Sequence, residues 1–352
     1  MIVVGLGFGD EGKGLTTSFL CSQTINPLVV RFNGGQQAGH TVVYEGKRHV
    51  FSSFGSGSLQ NVPTYWSSFC TFYPPSFLRE YELLNKPTIY VNPLCPVTTP
   101  FDIDHNRNTE KVKRHGSVGM GVGSTIKRQE DYYKLFVQDL FFEDILVAKL
   151  KAIAKYYNME KDADREILYF VKAVNKVKNI IKVEDDSVLQ RYNPIFEGAQ
   201  GILLDMDFGF FPNVTRSNTT TKNALQMYPS QEVYYVTRSY LTRHGNGFLP
   251  NEKKLSLVNN KNETNVSHPY QGEFRTAELD ISLLNYALQC DNNFSKGLKK
   301  NLVITCLDQY SIDMDFLLRK LNFSFNKVFI SRGDSLTDIS LYKSKEIADL
   351  VY

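Results

Sequence analysis

The residues Gly7-Phe8-Gly9-Asp10-Glu11-Gly12-Lys13-Gly14, directly behind the apolar run Ile2-Val3-Val4-Gly5-Leu6, decide the fold. A short apolar run of this kind reads as a strand buried on both faces, as in a parallel sheet. The glycine segment has the spacing G-x-x-x-x-G-K, and it stands where a phosphate loop stands, between a strand and the helical pattern Thr16–Cys21. Pro27–Phe32 repeats the buried-strand pattern and runs into a second glycine-rich segment, Asn33–Thr41. Strand, glycine loop, helix and strand in that order predict an α/β fold. The expected form is a P-loop-like, mostly parallel β-sheet flanked by helices, with mobile ligand loops at the carboxyl ends of its strands.

Further along, Pro194–Gly198, Glu232–Val236 and Leu302–Thr305 read as strands of the same sheet. Between Phe142 and Ile181 two stretches carry apolar residues at helical spacing with lysines on the other face, which predicts two covering helices. Residues 251–268 are polar and Asn-rich and read as a surface loop. With no repeat and no linker, residues 1–352 are expected to form a single large domain, with a helical excursion around 142–181 and the polar loop around 251–268.

The 40 basic and 37 acidic residues give a net charge of +3, so no bulk field attracts nucleic acid or an anionic membrane. An anionic ligand must be held by local groups. Five cysteines, odd in number and without CxxC spacing, argue against a disulfide framework or a zinc site and suit a reducing cytoplasm. The N-terminal apolar part is too short for a signal peptide, and no stretch approaches the ~20 apolar residues of a membrane span. A cytoplasmic protein with no nucleic-acid or membrane partner is expected.

The chemistry concentrates in four segments. In the first, glycines let backbone N–H groups converge on phosphate oxygens and Lys13 adds a positive charge. Gly14 stands where a phosphate loop usually has Ser or Thr for Mg²⁺, so Asp10 is the candidate to take over metal ligation or to act as a base. In the second, Asn33–Thr41, clustered amides and His40 suit a polar ligand edge, with His40 able to donate a proton or stabilise an oxyanion. The third, Gly116–Thr125, has glycine at 116, 119, 121 and 123 and is expected to be a phosphate-cradling loop with no regular helix or strand. The fourth runs from Glu197 to Thr221. Here Gln200 can read a purine edge as donor and acceptor, and Thr215 can bind a phosphate.

Taken in order, GDEGKG at 9–14, NGGQQAGHT at 33–41, FEGAQGILLDMDFGFFPNVTRSNTT at 196–220, TRHGNGFLP at 242–250, TCLD at 305–308 and SRGDS at 331–335 resemble the adenylosuccinate synthetase family. The resemblance covers most of the chain. It implies a ligase of purine nucleotide biosynthesis that joins L-aspartate to C6 of IMP at the expense of GTP, through a 6-phosphoryl intermediate. By family position, Asp10 deprotonates N1 of the base, His40 stabilises O6 and Lys13 binds phosphate, making these three the catalytic set. Mg²⁺ is implied between Asp10, the phosphates and the backbone carbonyl of Gly39. Gln37 and Gln200 fall to the base, Thr215 and Ser117 to the monophosphate side, and Arg275 to the aspartate carboxylates. Gly9, Glu11, Gly12, Gly14 and Thr41 complete the triphosphate site, Asp308 reads the guanine, and Ser331 and Gly333 flank it. The family is typically a homodimer with its sites near the subunit interface.

The chain departs from the family pattern at several positions. It is shorter than the usual bacterial enzyme and looks more like the compact archaeal-type and phage-encoded relatives. Gln37 replaces the family's asparagine, Ser117-Val118 replaces a threonine pair, and Cys306 replaces a lysine. Asp334 stands where a proline is usual. The arginine-rich aspartate loop shrinks to Gln271-Gly272-Glu273-Phe274-Arg275. Arg128 is the loose candidate for the arginine that the family supplies from a partner subunit. Two rival readings follow. One is a phage-type relative that joins aspartate to dGMP, with ATP or dATP as donor, for 2-aminoadenine synthesis. The other, of a different class, is a non-catalytic nucleotide-binding sensor. Retention of Asp10 favours IMP over dGMP, and retention of Asp10, Lys13 and His40 favours an enzyme over a sensor.

Overall fold

The computed structural model describes residues 1–113, 116–258, 270 and 272–343. Its frame is a ten-stranded sheet with Ile2–Gly5 inside it, between Asn193–Gly201 and Glu232–Arg238. Outward on one side lie Lys299–Thr305, Lys327–Ser331 and Ile339–Leu341. On the other lie Pro27–Arg31, Thr64–Trp66, Ile89–Val91 and Lys182–Val183. Every pairing is parallel except the last, where Ile339–Leu341 runs against Lys327–Ser331.

The central strands are apolar on both faces because both are covered. Ile2, Val4, Leu28, Val30, Phe196, Tyr235 and Leu302 pack with the helix Ile281–Ser295 on one side. Val3, Val29, Ile195, Val236 and Val303 pack with Leu20 and Cys21 of the helix Lys13–Ser22 on the other. Two-residue alternation within IVV thus feeds two separate cores. Burying a leucine such as Leu20, 4% exposed, stabilises by roughly 1.5–3 kcal/mol.

The helices expected between 142 and 181 are Glu143–Tyr156 and Ala163–Val177. Leu146, Leu150, Phe170 and Val174 pack with Trp66 and Val91 of the outer strands in a third core. Of the polar stretch 251–268, residues 259–268 lie outside the described residues, as does Gln271.

One expectation is corrected. Residues 122–125 of the Gly116–Thr125 segment are the first turn of a helix, Val122–Glu130. Gly116, Gly119 and Gly121 have positive φ, and Gly121 (φ 77°) is the helix N-cap. Gly123 costs the helix about 1 kcal/mol relative to alanine, and burial of Val122, Thr125 and Arg128 beneath it offsets that.

Candidate active site

Parallel strands place their loops at one edge of the sheet, so segments far apart in sequence meet there. The loop Gly7–Gly12 leaves the carboxyl end of Ile2–Gly5, with Gly9 at φ 101°, Asp10 at 63° and Gly12 at 95°. Glycine takes this left-handed backbone freely, and aspartate is among the few other residues that tolerate it. Gly12 is the N-cap of Lys13–Ser22 and supplies no side-chain acceptor, so the first-turn N–H groups suit an anion.

Glu11 fills the inside of the loop. Its Oε1 accepts the N–H groups of Gly7 at 3.1 Å and Gly9 at 2.8 Å, and its Oε2 pairs with Lys13. Both side chains are only 3% exposed. Gly5 and Gly201 face each other in register beside this carboxylate, and a β-carbon on either would overlap it. A phosphate arriving at the helix N-terminus therefore competes with Glu11 for Lys13.

His40 begins the strand His40–Tyr44, close enough to the helix that a β-carbon on Gly14 would stand 2.8 Å from its Cβ. Its Nδ1 lies 2.8 Å from Oε1 of Glu197, a carboxylate with no exposure that also accepts from the Ser56 hydroxyl. Burial pulls the His40 pKa below the ordinary imidazole value, against the opposing pull of Glu197. Burial also works against ionisation of Glu197, but His40, Arg31 and Ser56 outweigh it and keep the carboxyl low. With Nδ1 on the carboxylate side, Nε2 is the nitrogen left to exchange a proton with a ligand. Gly39, exposed, precedes His40, and Thr41 pairs across the hairpin with Val50.

The amide atoms Nε2 and Oε1 of Gln37 and Oε1 of Gln200 are buried without a protein partner. They converge on one glycine: a β-carbon at Gly34 would lie 2.8 Å from Gln37 Nε2 and 3.6 Å from Gln200 Oε1. Gln200, at φ 57°, approaches the loop at Gly9, where a β-carbon would be 4.0 Å from its Cα. Buried polar atoms are nearly always paired, so three orphans together mark the place of a polar ligand.

Thr215 is held by its N–H to the Leu204 carbonyl at 2.8 Å, in a loop organised by Asp205, which accepts from Thr219 and Asp207. The same loop reaches the helix at Gly123, where a β-carbon would lie 3.8 Å from Arg216 Cδ. Ser117 is engaged by Asn106 Nδ2 at 2.9 Å, which shapes the glycine segment. Arg128 is not the free arginine expected. It has no exposure and is locked by Asp102 at 2.9 and 3.1 Å and by the Val97 carbonyl at 2.8 Å. Those ties make it the core support of its helix.

A hairpin of Tyr240–His244 and Phe274–Glu278 borders a cavity of about 850 Å³. Gly245, Asn246, Glu273, Lys111 and Arg275 line it. Arg275 is already engaged: Nη1 donates to the carbonyls of Gly245 at 2.7 Å and Gly247 at 3.0 Å, and Nε and Nη2 grip Glu252.

At the other end, Ser331 Oγ donates to the Gly333 carbonyl at 2.7 Å, and Leu307 N–H donates to the Ser331 carbonyl at 3.1 Å. Asp308 accepts from the Gln309 amide. A bridge between Val43 and Ser335 brings this end against the Thr41 hairpin.

Three residues to which no role was given in the sequence hold Asp10 and its loop. His244 Nε2 stands 3.0 Å from Asp10 Oδ2, Arg238 Nε donates to the Asp10 carbonyl, and Thr305 Oγ1 donates to the Glu11 carbonyl at 2.7 Å. Burial opposes ionisation of Asp10, but the His244 hydrogen bond and the charges of His244, Arg238 and Lys13 outweigh it and hold the carboxyl below the ordinary aspartate range. His244 and Thr305 fall within the blocks TRHGNGFLP and TCLD, but nothing in those blocks points to residues 10 and 11, so only the fold reveals these contacts. Among the described residues no cluster of three or more His, Cys, Asp or Glu could cage a metal. Asp10, an ionised carboxylate on the glycine loop, offers oxygen of the kind a hard cation such as Mg²⁺ takes.

Residues 2–316 match the adenylosuccinate synthetase family. The chain is 31% identical to the adenylosuccinate synthetase of Thermoplasma volcanium, over 89% of this chain and 79% of that one. It is 28% identical to that of Picrophilus torridus, over 90% and 80%. Among solved structures, the fully ligated adenylosuccinate synthetase of Plasmodium falciparum superposes with a TM-score of 0.81 at 19% identity, covering 97% of this chain and 99% of that one. The cyanophage S-2L succinoaminodeoxyadenylate synthetase bound to dGMP and dATP superposes with a TM-score of 0.71 at 17% identity, covering 100% and 97%. At those identities the structures speak to the fold alone.

Proposed function

The chain belongs to the adenylosuccinate synthetase family, whose members are ligases that form a C–N bond, and from that premise we propose that it joins L-aspartate to C6 of IMP with GTP as phosphoryl donor. The observation that carries the reading is the set of unpartnered amide atoms on Gln37 and Gln200, converging at Gly34 and reaching the glycine loop at Gly9, the neighbour of Asp10. A 6-oxopurine offers the donors and acceptors those amides lack. Asp10, ionised, accepts the N1 proton as O6 takes the γ-phosphoryl group, while the bond from the γ-phosphorus to the bridging oxygen of GTP breaks and GDP leaves with its electrons. His40 meets the charge that develops on O6 through Nε2, while Glu197 holds its Nδ1 side. Lys13 leaves Glu11 for the phosphate, beside Gly9, Gly12, Gly14 and Thr41. The aspartate amine then attacks C6, phosphate departs with the C6–O6 bond electrons, and the amine's proton passes to the departing phosphate. Mg²⁺, held by Asp10 and the Gly39 carbonyl, would offset charge on the phosphates when bound.

Thr215 and Ser117 would hold the monophosphate, Asp308, Ser331 and Gly333 the guanine, and Arg275 the aspartate carboxylates after exchange with Glu252. We place the enzyme in the cytoplasm as a homodimer. No helix among the described residues is long and apolar enough to cross a membrane.

One observation favours a second reading, dGMP as acceptor with ATP or dATP as donor. Gln37 Oε1 is an unpartnered acceptor beside the base site, and a 2-amino group is a donor. Phosphate release with IMP or dGMP, each paired with GTP, ATP and dATP, decides between them. Turnover with IMP and aspartate supports the first reading; turnover with dGMP alone replaces it.

A further inference from the structure

Asp10 sits on a left-handed turn with its side chain 24% exposed, a position from which a short carboxylate has several directions open to it. Two contacts hold the residue, one on its main chain and one on its carboxylate. Arg238, at the carboxyl end of Glu232–Arg238, holds the main-chain carbonyl. His244, the last residue of Tyr240–His244, places Nε2 3.0 Å from Oδ2. The imidazole is itself fixed: it is 10% exposed, and its ring centroid lies 5.2 Å from that of Phe274, its register partner across the hairpin.

We propose that His244 is a positioning residue for the reaction, which donates Nε2–H to Oδ2 of Asp10 and so turns Oδ1 toward the proton that Asp10 removes. A hydrogen bond to one carboxylate oxygen fixes rotation about Cβ–Cγ and therefore the direction of the other oxygen. Proton transfer requires an acceptor within hydrogen-bond reach in the correct orientation, and misplacement by about 1 Å costs on the order of a hundredfold in rate. The hairpin also carries Gly245 and Arg275 at the 850 Å³ cavity. One element thus sets both the base and the border of the space where the second substrate would enter. The inference rests on the proposed role of Asp10 as base.

The test separates ring packing from hydrogen bonding. His244→Phe keeps an aromatic ring against Phe274 and removes the donor; His244→Gln returns an N–H at the place of Nε2. Expected for His244→Phe is a fall in kcat of about ten- to a hundredfold, with KM for both nucleotides within twofold and an unchanged melting temperature. His244→Gln recovers most of kcat. Wild-type kcat in His244→Phe, or equal loss in His244→Gln, overturns the proposal. Amide exchange at Gly9–Gly12 in the free protein gives a readout that needs no turnover. It should quicken in His244→Phe and not in His244→Gln, and identical exchange in all three proteins overturns the proposal even if the wild type turns over neither IMP nor dGMP. That last outcome, no turnover by the wild type, would refute the proposed activity instead.

Discussion

Arg275 and Glu252 face each other at the rim of the cavity, with Nε 2.9 Å from Oε1 and Nη2 on the second carboxylate oxygen. The protein's own carboxylate thus fills the guanidinium edge that a carboxylate substrate would use. Glu252 is 45% exposed, and an ion pair at such exposure is worth about 0–1 kcal/mol. Glu252→Gln should therefore lower the KM for aspartate by up to about fivefold and leave the nucleotide KM values alone. Steady-state kinetics with varied aspartate check this; an unchanged or raised KM removes Arg275 from the aspartate site.

Asp10→Asn keeps the size of the side chain and removes its ability to accept a proton. Loss of a general base typically costs 10²–10⁴-fold, so kcat should fall by about that much while nucleotide affinity, measured by calorimetry, changes little. A variant that keeps its turnover would assign the proton step elsewhere. A biological output that survives the loss of turnover would instead favour a sensor.

Gly201→Ala places a methyl group against the Gly7 carbonyl and the Glu11 carboxylate. Backbone cannot yield as a flexible side chain does, and overpacking of this kind costs about 1–3 kcal/mol. We expect a lower denaturation midpoint together with weakened triphosphate binding, since the same atoms shape the glycine loop. Normal binding in a destabilised variant would separate the loop's shape from its function.

Glu80 links the helix Pro74–Leu83 to the loop at 52–53, accepting the N–H groups of Ser52 at 3.2 Å and Ser53 at 2.6 Å, with His49 Nε2 at 3.2 Å. Burial raises its pKa, but the His49 and serine hydrogen bonds outweigh burial and leave it below the ordinary value of 4.5. A depressed carboxyl contributes stability that is complete above the unfolded value and disappears as pH falls through the folded one. Glu80→Gln should cost about 1–3 kcal/mol at pH 7 and flatten the loss of stability below pH 4.5. Denaturant titrations at pH 7 and pH 4 measure both effects, and parallel pH curves for the two proteins would rule this out.

The apolar runs and glycines around 2–14 and 27–41 were legible because buried parallel strands and left-handed turns restrict residue choice so strongly. The outer strands Thr64–Trp66, Ile89–Val91 and Lys182–Val183 were not, since two or three residues carry no periodicity. Nor was strand order, which depends on pairings across the whole chain. Asp10, Lys13 and His40 stand out in glycine-rich surroundings. Glu197 could have been suspected as an acid inside the otherwise non-polar stretch 195–199 of the strand Asn193–Gly201. His244 could not, because its partner lies at residue 10 and only the sheet brings the two together. The helix start at Val122 was missed because four glycines hid a turn that only three of them make.

The strand Ile2–Gly5 has no neighbour until residues 193–201 and 232–238 are in place. On the ribosome, the glycine loop must therefore wait, unsupported, while most of the chain is still being made. Pairings so distant in sequence form slowly and leave apolar strands exposed to aggregation meanwhile. A nucleotide stabilises only a state that already binds it. Added ligand should thus protect the finished protein from unfolding, yet do nothing for a nascent chain that stalls before Arg238.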